Sequence, residues 1–241
     1  RDTFAETISI WPKPEIDSVT VLDQCWPNGT NFTGFHHISN NWNSAAVTIH
    51  DWRFGDANTG NTNPVFHTYV LPNIYTHTLF VETGNACRDT LVDQVNIWPK
   101  PSINSITEID ICWPNDVAFS NNTTIPNNWD AATIAQWDWR FGDGQTGNVP
   151  TLLHNYAVPD RYFDTLYVRS SDNCRDTLTG SVDVWPKPQI DSIITADVCD
   201  PETVFFTQST QIPDNWNSAT IPSYLWDFGD GNTGTGASTS H

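Results

Sequence analysis

The sequence contains no methionine, and none of its apolar stretches approaches the roughly eighteen residues that a membrane-spanning helix needs. Basic residues are scarce: 10 Lys and Arg stand against 28 Asp and Glu, a formal net charge of −18. That balance argues against nucleic-acid binding, which needs a stripe of Lys and Arg to displace counterions from phosphate. It argues equally against docking on an anionic bilayer. It suits a soluble, self-repelling surface bathed in salt or divalent cations. Helical periodicity is missing as well; short apolar runs separated by Thr, Asn and Asp, with 12 tryptophans, read as an all-β chain with many turns. With no initiator and no leader-like segment, the chain is expected to be part of a longer protein whose targeting and anchoring signals lie elsewhere.

What is present is repetition. WRFGDANTG begins at Trp52, WRFGDGQTG at Trp139 and WDFGDGNTG at Trp226, each 87 residues after the last. The same interval relates RDT at positions 1, 88 and 175, WPKP at 11, 98 and 185, the set Cys25, Cys112 and Cys199, the set Trp42, Trp129 and Trp216, and the set His67, His154 and His241. A period of this length is too long for a solenoid unit and fits a small independent domain. With WPKP as the boundary, residues 1–11 read as the last strand of a preceding repeat, 12–98 and 99–185 as complete repeats, and 186–241 as an incomplete third. Within 99–185, about seven short strands are expected, among them one in which Trp137, Trp139 and Phe141 alternate onto one face. The arrangement points to an antiparallel β-sandwich of Ig-like topology.

The five cysteines fall onto the period. Cys25 and Cys87 are 62 residues apart, as are Cys112 and Cys174, while a partner for Cys199 at that spacing lies outside the chain. The expected pairing is therefore one disulfide per repeat, Cys25–Cys87 and Cys112–Cys174, which places the chain in an oxidising compartment. Two buried free thiols per repeat are the alternative.

The motif W-x-F-G-D-G-x-T-G, followed by H-x-Y and an aromatic, β-branched strand, resembles the PKD domain, the Ig-like module named after the polycystic kidney disease protein. The closing C-R-D-T and V-x-V-W-P-K-P resemble the version arrayed in large secreted proteins of Bacteroidetes-type bacteria, including gliding and adhesin proteins exported by the type IX pathway. The family's Asp after the Trp is Arg53 and Arg140 in the first two repeats and Asp227 in the third, and Ala57 replaces the second Gly of the first turn.

Candidate sites are few. Asp56, Asp143 and Asp230 stand in Gly-Asp turns whose order is neither that of an EF-hand nor that of a phosphate loop, so a structural turn is expected. A weak Ca2+ contact through these and nearby carboxylates is the second reading, and no other cofactor is implied. His67 and His154 recur singly and read as packed, hydrogen-bonded strand residues, since one His per repeat makes no zinc site. No Ser/His/Asp or Cys/His set recurs, so no catalysis is expected. Trp52, Trp139 and Trp226 are core residues, and Trp11, Trp98 and Trp185 open a proline-stiffened linker and are expected to pack at the junction between repeats. Trp42, Trp129 and Trp216 sit in polar loops, where each either stacks on a ligand such as a sugar or folds back onto the sandwich. Asn28, Asn31, Asn121 and Asn122 match N-glycosylation acceptors, and Asp-Ser/Thr-aliphatic tripeptides at Ser18, Thr90, Thr165, Thr177 and Ser192 resemble the Bacteroidetes O-glycosylation sequence.

Together these features predict a rod of tandem Ig-like domains, a stalk or fibre segment of an extracellular bacterial surface adhesin. Its partners would be neighbouring repeats, other copies of itself and surface glycans, with no nucleic acid and no membrane insertion. Multivalent carbohydrate binding through the loop tryptophans, or service as accessory domains of a secreted hydrolase, are the alternatives.

Overall fold

The computed structural model describes residues 1–41 and 43–241; the loop residue Trp42 lies outside the described residues. The described chain is all strand and turn, with no helix. The first repeat supplies β1 (Pro14–Thr20), β2 (Gln24–Cys25), β3 (Thr30–Ile38), β4 (Val47–Arg53), β5 (Thr59–Gly60), β6 (Val65–His67), β7 (Asn73–Thr83) and β8 (Arg88–Trp98). These make one sheet in the order β1-β3-β6 and a second in the order β2-β8-β7-β4-β5. Neighbours are antiparallel except β2, which lies parallel to the end of β8 and sets Cys25 opposite Trp98. The second repeat supplies β9 (Ser102–Thr107), β10 (Ile111–Cys112), β11 (Val117–Thr124), β12 (Ile134–Arg140), β13 (Thr146–Gly147), β14 (Leu152–His154), β15 (Asp160–Ser170) and β16 (Arg175–Trp185). Its strand orders, β9-β11-β14 and β10-β16-β15-β12-β13, repeat those of the first. The remainder carries β17 (Gln189–Thr195), β18 (Phe205–Gln211), β19 (Leu225–Asp227), β20 (Thr233–Thr235) and β21 (Ser238–Ser240). The expected class, Ig-like antiparallel β-sandwich, is what the structure has. Residues 1–11, read from sequence as a strand, form none; a strand needs a neighbour to receive its backbone hydrogen bonds.

Period-two alternation builds the cores. In β7, His77, Leu79, Val81 and Thr83 point inward, and in β8 Val95 and Ile97 do the same. With Phe32, Trp52, Phe54 and Tyr69 the apolar members of this set form the core of the first repeat. The residues 87 later, Phe119, Trp139, Phe141, Tyr156, Leu166, Val168, Val182 and Val184, are buried in turn. Each large aromatic removed from water contributes about 2–3 kcal/mol.

The compact units do not follow the repeat boundaries. One unit holds residues 1–102 together with 124–135 and 169–176, and the other holds 103–123, 136–168 and 177–241. A loop and a hairpin tip of the second repeat thus belong to the body built by the first.

One core position breaks the period chemically. His77 and Asp164 are equivalent, each is 0% exposed, and neither has a side-chain hydrogen-bond partner among the described residues. Burial pushes His77 down, with Asp93 opposing. Burial, reinforced by nearby Glu108, pushes Asp164 up to about 6. Gly180 makes room for this acidic pair: a Cβ there would lie 2.5 Å from Glu108 Oε1 and 3.0 Å from Asp164 Oδ1. Because the folded pKa of Asp164 is raised, its contribution is most favourable below the unfolded value of 3.8 and is lost as pH rises through about 6. Asp164→Asn is expected to stabilise the second repeat by on the order of 2 kcal/mol at pH 8 and to leave it unchanged or weaker near pH 4. Chemical denaturation at the two pH values checks this; an equal effect at both would contradict it.

Candidate functional site

The Gly-Asp turns come first because the sequence singles them out. Gly142 has φ of +84°, and a Cβ there would lie 2.6 Å from the carbonyl oxygen of Phe163. Asp56 follows the equivalent Gly55 and accepts hydrogen bonds from Asn58 N (3.0 Å), Asn58 Nδ2 (2.9 Å) and His67 Nε2 (2.8 Å). Asp143 is held the same way by Gln145 N, Gln145 Nε2 and His154 Nε2 at 2.9, 3.2 and 2.9 Å. Asp230 is held by Asn232 and His241. Burial works against the charged form of Asp56, but its bonds to the Asn58 side chain, His67 and the Asn58 N–H outweigh it and hold the carboxyl below its usual range. Asn232, through its backbone and then its side chain, and His241 hold Asp230 down to about 2. The histidines are fixed in turn: His67 stacks on Phe54 at 4.0 Å, His154 on Phe141 at 3.9 Å, and Tyr69 Oη donates to the Phe54 carbonyl at 3.0 Å. Each turn therefore ties hairpin, strand and core together. Among the described residues no group of three or more His, Cys, Asp or Glu is placed to hold a metal ion.

The site the geometry builds lies instead where one repeat meets the next. The loop Asn127–Ala132 is shaped by Asn128, whose side-chain amide donates to the Ala132 carbonyl (2.7 Å) and whose Oδ1 accepts from the Ala132 N–H (2.8 Å). Asn41 and Ala45, and Asn215 and Ala219, make the same two-bond clamp. The clamped loop presents Trp129, which stacks on the linker residue Trp98 with ring centroids 5.4 Å apart and planes 13° apart. Its indole N–H donates to the Ile97 carbonyl at 3.1 Å. Trp216 repeats this with Trp185 (5.6 Å, 21°) and the Val184 carbonyl (3.1 Å). Arg161, held by two bonds to Asp183 of 2.6 and 2.7 Å, lies 5.9 Å over the Trp216 ring. Trp129 and Trp216, both half-buried, thus do not cover their own sandwich; they close over the last strand of the repeat before. Lys100 of the linker reaches Asp176 at 2.7 Å, as Lys13 reaches Asp89.

A covalent bond crosses the same junction. Cys25 is joined to Cys174, 149 residues away, with Cα atoms 5.5 Å apart. This overturns the expected Cys25–Cys87 and Cys112–Cys174 pairs, and Cys87, Cys112 and Cys199 are free thiols. The reason is reach. Cys25 is registered against Trp98 at one end of β8, whereas Cys87 directly precedes Arg88 at the other end. Eleven extended residues separate those ends, about 35 Å, and a disulfide needs Cα atoms within about 7 Å. Cys112, registered against Trp185, is equally far along β16 from Cys174. Cys174 sits in the 169–176 hairpin, closed by Ser170 N donating to the Cys174 carbonyl at 2.8 Å, and that hairpin belongs to the unit containing Cys25. The loop spans one period plus the in-repeat spacing. In the chain-entropy model it contributes about 5 kcal/mol.

The PKD domain family model matches residues 98–184, one period of the sequence. Among solved structures, the chain is similar to the PKD1 domain of Vibrio anguillarum Epp (13% identity, 35% of this chain and 93% of that one, TM-score 0.31). It is also similar to the PKD1 domain of the Vibrio cholerae metalloprotease PrtV (17% identity, 36% and 98%, TM-score 0.29). A 1.5-MDa bacterial ice-binding adhesin is matched at 12% identity over 97% of this chain and 87% of that one, with a TM-score of 0.32. No curated protein matches.

The clasp yields a graded expectation. Trp129→Ala removes a stack and a hydrogen bond and should lower the stability of the first compact unit by about 2–3 kcal/mol. Trp129→Phe keeps an aromatic on Trp98, loses the N–H donor and should cost about 1 kcal/mol. Denaturant unfolding checks the order; indistinguishable values for both variants and the wild type would contradict the clasp.

Proposed function

We propose that this chain is a structural segment, a stalk or fibre, of a large secreted bacterial cell-surface adhesin or filament, and that it spaces binding regions away from the surface. The observation that carries this reading is the junction, where a clasped tryptophan and a disulfide both join one repeat to the next. Under tension applied at the ends, force enters through residues 1–25, crosses the Cys25–Cys174 bond and leaves through 174–241. The chain between the two cysteines, which holds the first sandwich core and most of the second, is bypassed, while β16 with Val182 and Val184 stays in the path. A spacer under load gains from that path.

In this reading the chain catalyses nothing, needs no cofactor, and binds neither nucleic acid nor bilayer. Its partners are neighbouring repeats and other copies of itself, and its place is outside the cell. Export by the type IX route and kinship with Bacteroidetes gliding and adhesin arrays rest on the resemblance of the closing C-R-D-T and W-P-K-P motifs. The rival reading, glycan binding by the loop tryptophans, is disfavoured because the ring and N–H of Trp129 and Trp216 are committed to Trp98, Trp185 and the carbonyls beside them.

Single-molecule pulling from the two termini tests the mechanical role. The 149-residue separation corresponds to about 500 Å of extended chain. That length should be missing from the fully stretched oxidised chain and should appear on adding reductant. Equal lengths in both states would contradict the load path. A shift in tryptophan emission on adding glycans, reversed by Trp129→Phe and Trp216→Phe, would turn the assignment toward binding.

A further inference from the structure

The Cys25–Cys174 bond has unmatched halves elsewhere in the chain. Cys112 stands in the second repeat where Cys25 stands in the first. It is registered against Trp185 as Cys25 is against Trp98, and Trp113 N donates to the Trp185 carbonyl at 3.0 Å as Trp26 N does to that of Trp98 at 2.9 Å. The junction beyond it already carries the stacked Trp185 and Trp216, so everything found around Cys25 recurs around Cys112 except the partner hairpin. By the 87-residue period, the counterpart of Cys174 would fall at position 261. At the other end, Cys87 occupies the position equivalent to Cys174. Its thiol lies 3.9 Å from the carbonyl oxygen of Trp11, the linker residue equivalent to the Trp98 that flanks Cys25. Cys87 and Cys112 therefore each sit in half of a junction whose complete form is seen once.

We propose that the bond recurs: the first cysteine of each repeat is joined to the second cysteine of the repeat that follows, so that Cys112 takes the second cysteine of a next repeat and Cys87 the first cysteine of a preceding one. Consecutive covalent loops then overlap, and every repeat is stapled to both neighbours. No repeat in such an array can be drawn out by tension while its staples hold. Each staple forms by thiol–disulfide exchange: two Cys thiols give up two protons and two electrons to a small-molecule or oxidoreductase disulfide, which leaves as two thiols. The pairing rule stands whether or not the protein serves as a spacer, since it concerns only which sulfurs meet.

The test extends the full chain at its C-terminus with a second copy of residues 155–185, so that a copy of Cys174 stands at position 261. The chain is refolded in a mixture of reduced and oxidised glutathione, digested without reduction and mapped by mass. The proposal expects Cys25–Cys174 and a new bond from Cys112 to position 261, with Cys87 and Cys199 open to alkylation. A bond from Cys199 to position 261, the 62-residue spacing, overturns it, and so does a Cys112 thiol that stays free in an extended chain retaining Cys25–Cys174. An independent variant needs no extension. In Cys25→Ser, Cys174 is released while Cys112 lies 62 residues before it; the proposal expects four free thiols, and a Cys112–Cys174 bond overturns it.

Discussion

A disulfide spans about 6 Å and the sandwich is about 35 Å long, and the rest of the structure depends on that mismatch. The period puts one cysteine of each pair beside the linker tryptophan and the other at the far end of the last strand. Two such cysteines cannot meet inside a repeat. They meet only where the linker end of one repeat receives the far-end hairpin of the next, which is where Cys25 finds Cys174. The bond that looks like an internal staple of a small domain is thereby a tie between domains.

The other contacts around the junction are weaker. A half-buried Lys–Asp pair such as Lys100–Asp176 contributes about 1 kcal/mol, and the Trp98–Trp129 stack about 0.5–1.5 kcal/mol beyond its burial. Against these the disulfide's roughly 5 kcal/mol dominates. The clamp of Asn128 on Ala132 matters because it shapes the loop that sets Trp129 over Trp98. The Gly-Asp turns act apart from the junction. Asp56, Asp143 and Asp230 are bound within their own hairpins and hold each sandwich together from within.

Much of this was legible in the sequence. The 87-residue period, the all-β class, the core positions Trp52, Phe54, Trp139 and Phe141, and the packed character of His67 and His154 follow from repetition and alternation alone. The cysteine partners did not follow, because a strict period makes a spacing of 62 and a spacing of 149 equally regular; strand length, not spacing, chooses between them. The fate of the loop tryptophans was open for a similar reason. A polar loop reads the same whether its Trp faces solvent or the preceding linker, and the choice rests on the Ile97 and Val184 carbonyls, which carry no sequence signature. The burial of Asp164 was hidden because the residue at its place in the first repeat is His77, and neither residue type announces a core position.

The central claim is that covalent continuity passes between repeats rather than around each one. The most direct measurement is the intact mass of the full chain in denaturant after a single engineered protease cut at residues 99–101, read with and without reductant. The account predicts that the two halves stay together as one species until reductant separates them, because Cys25 lies on one side of the cut and Cys174 on the other. Halves that part in denaturant alone would show that each repeat keeps its sulfurs to itself, and would contradict the account.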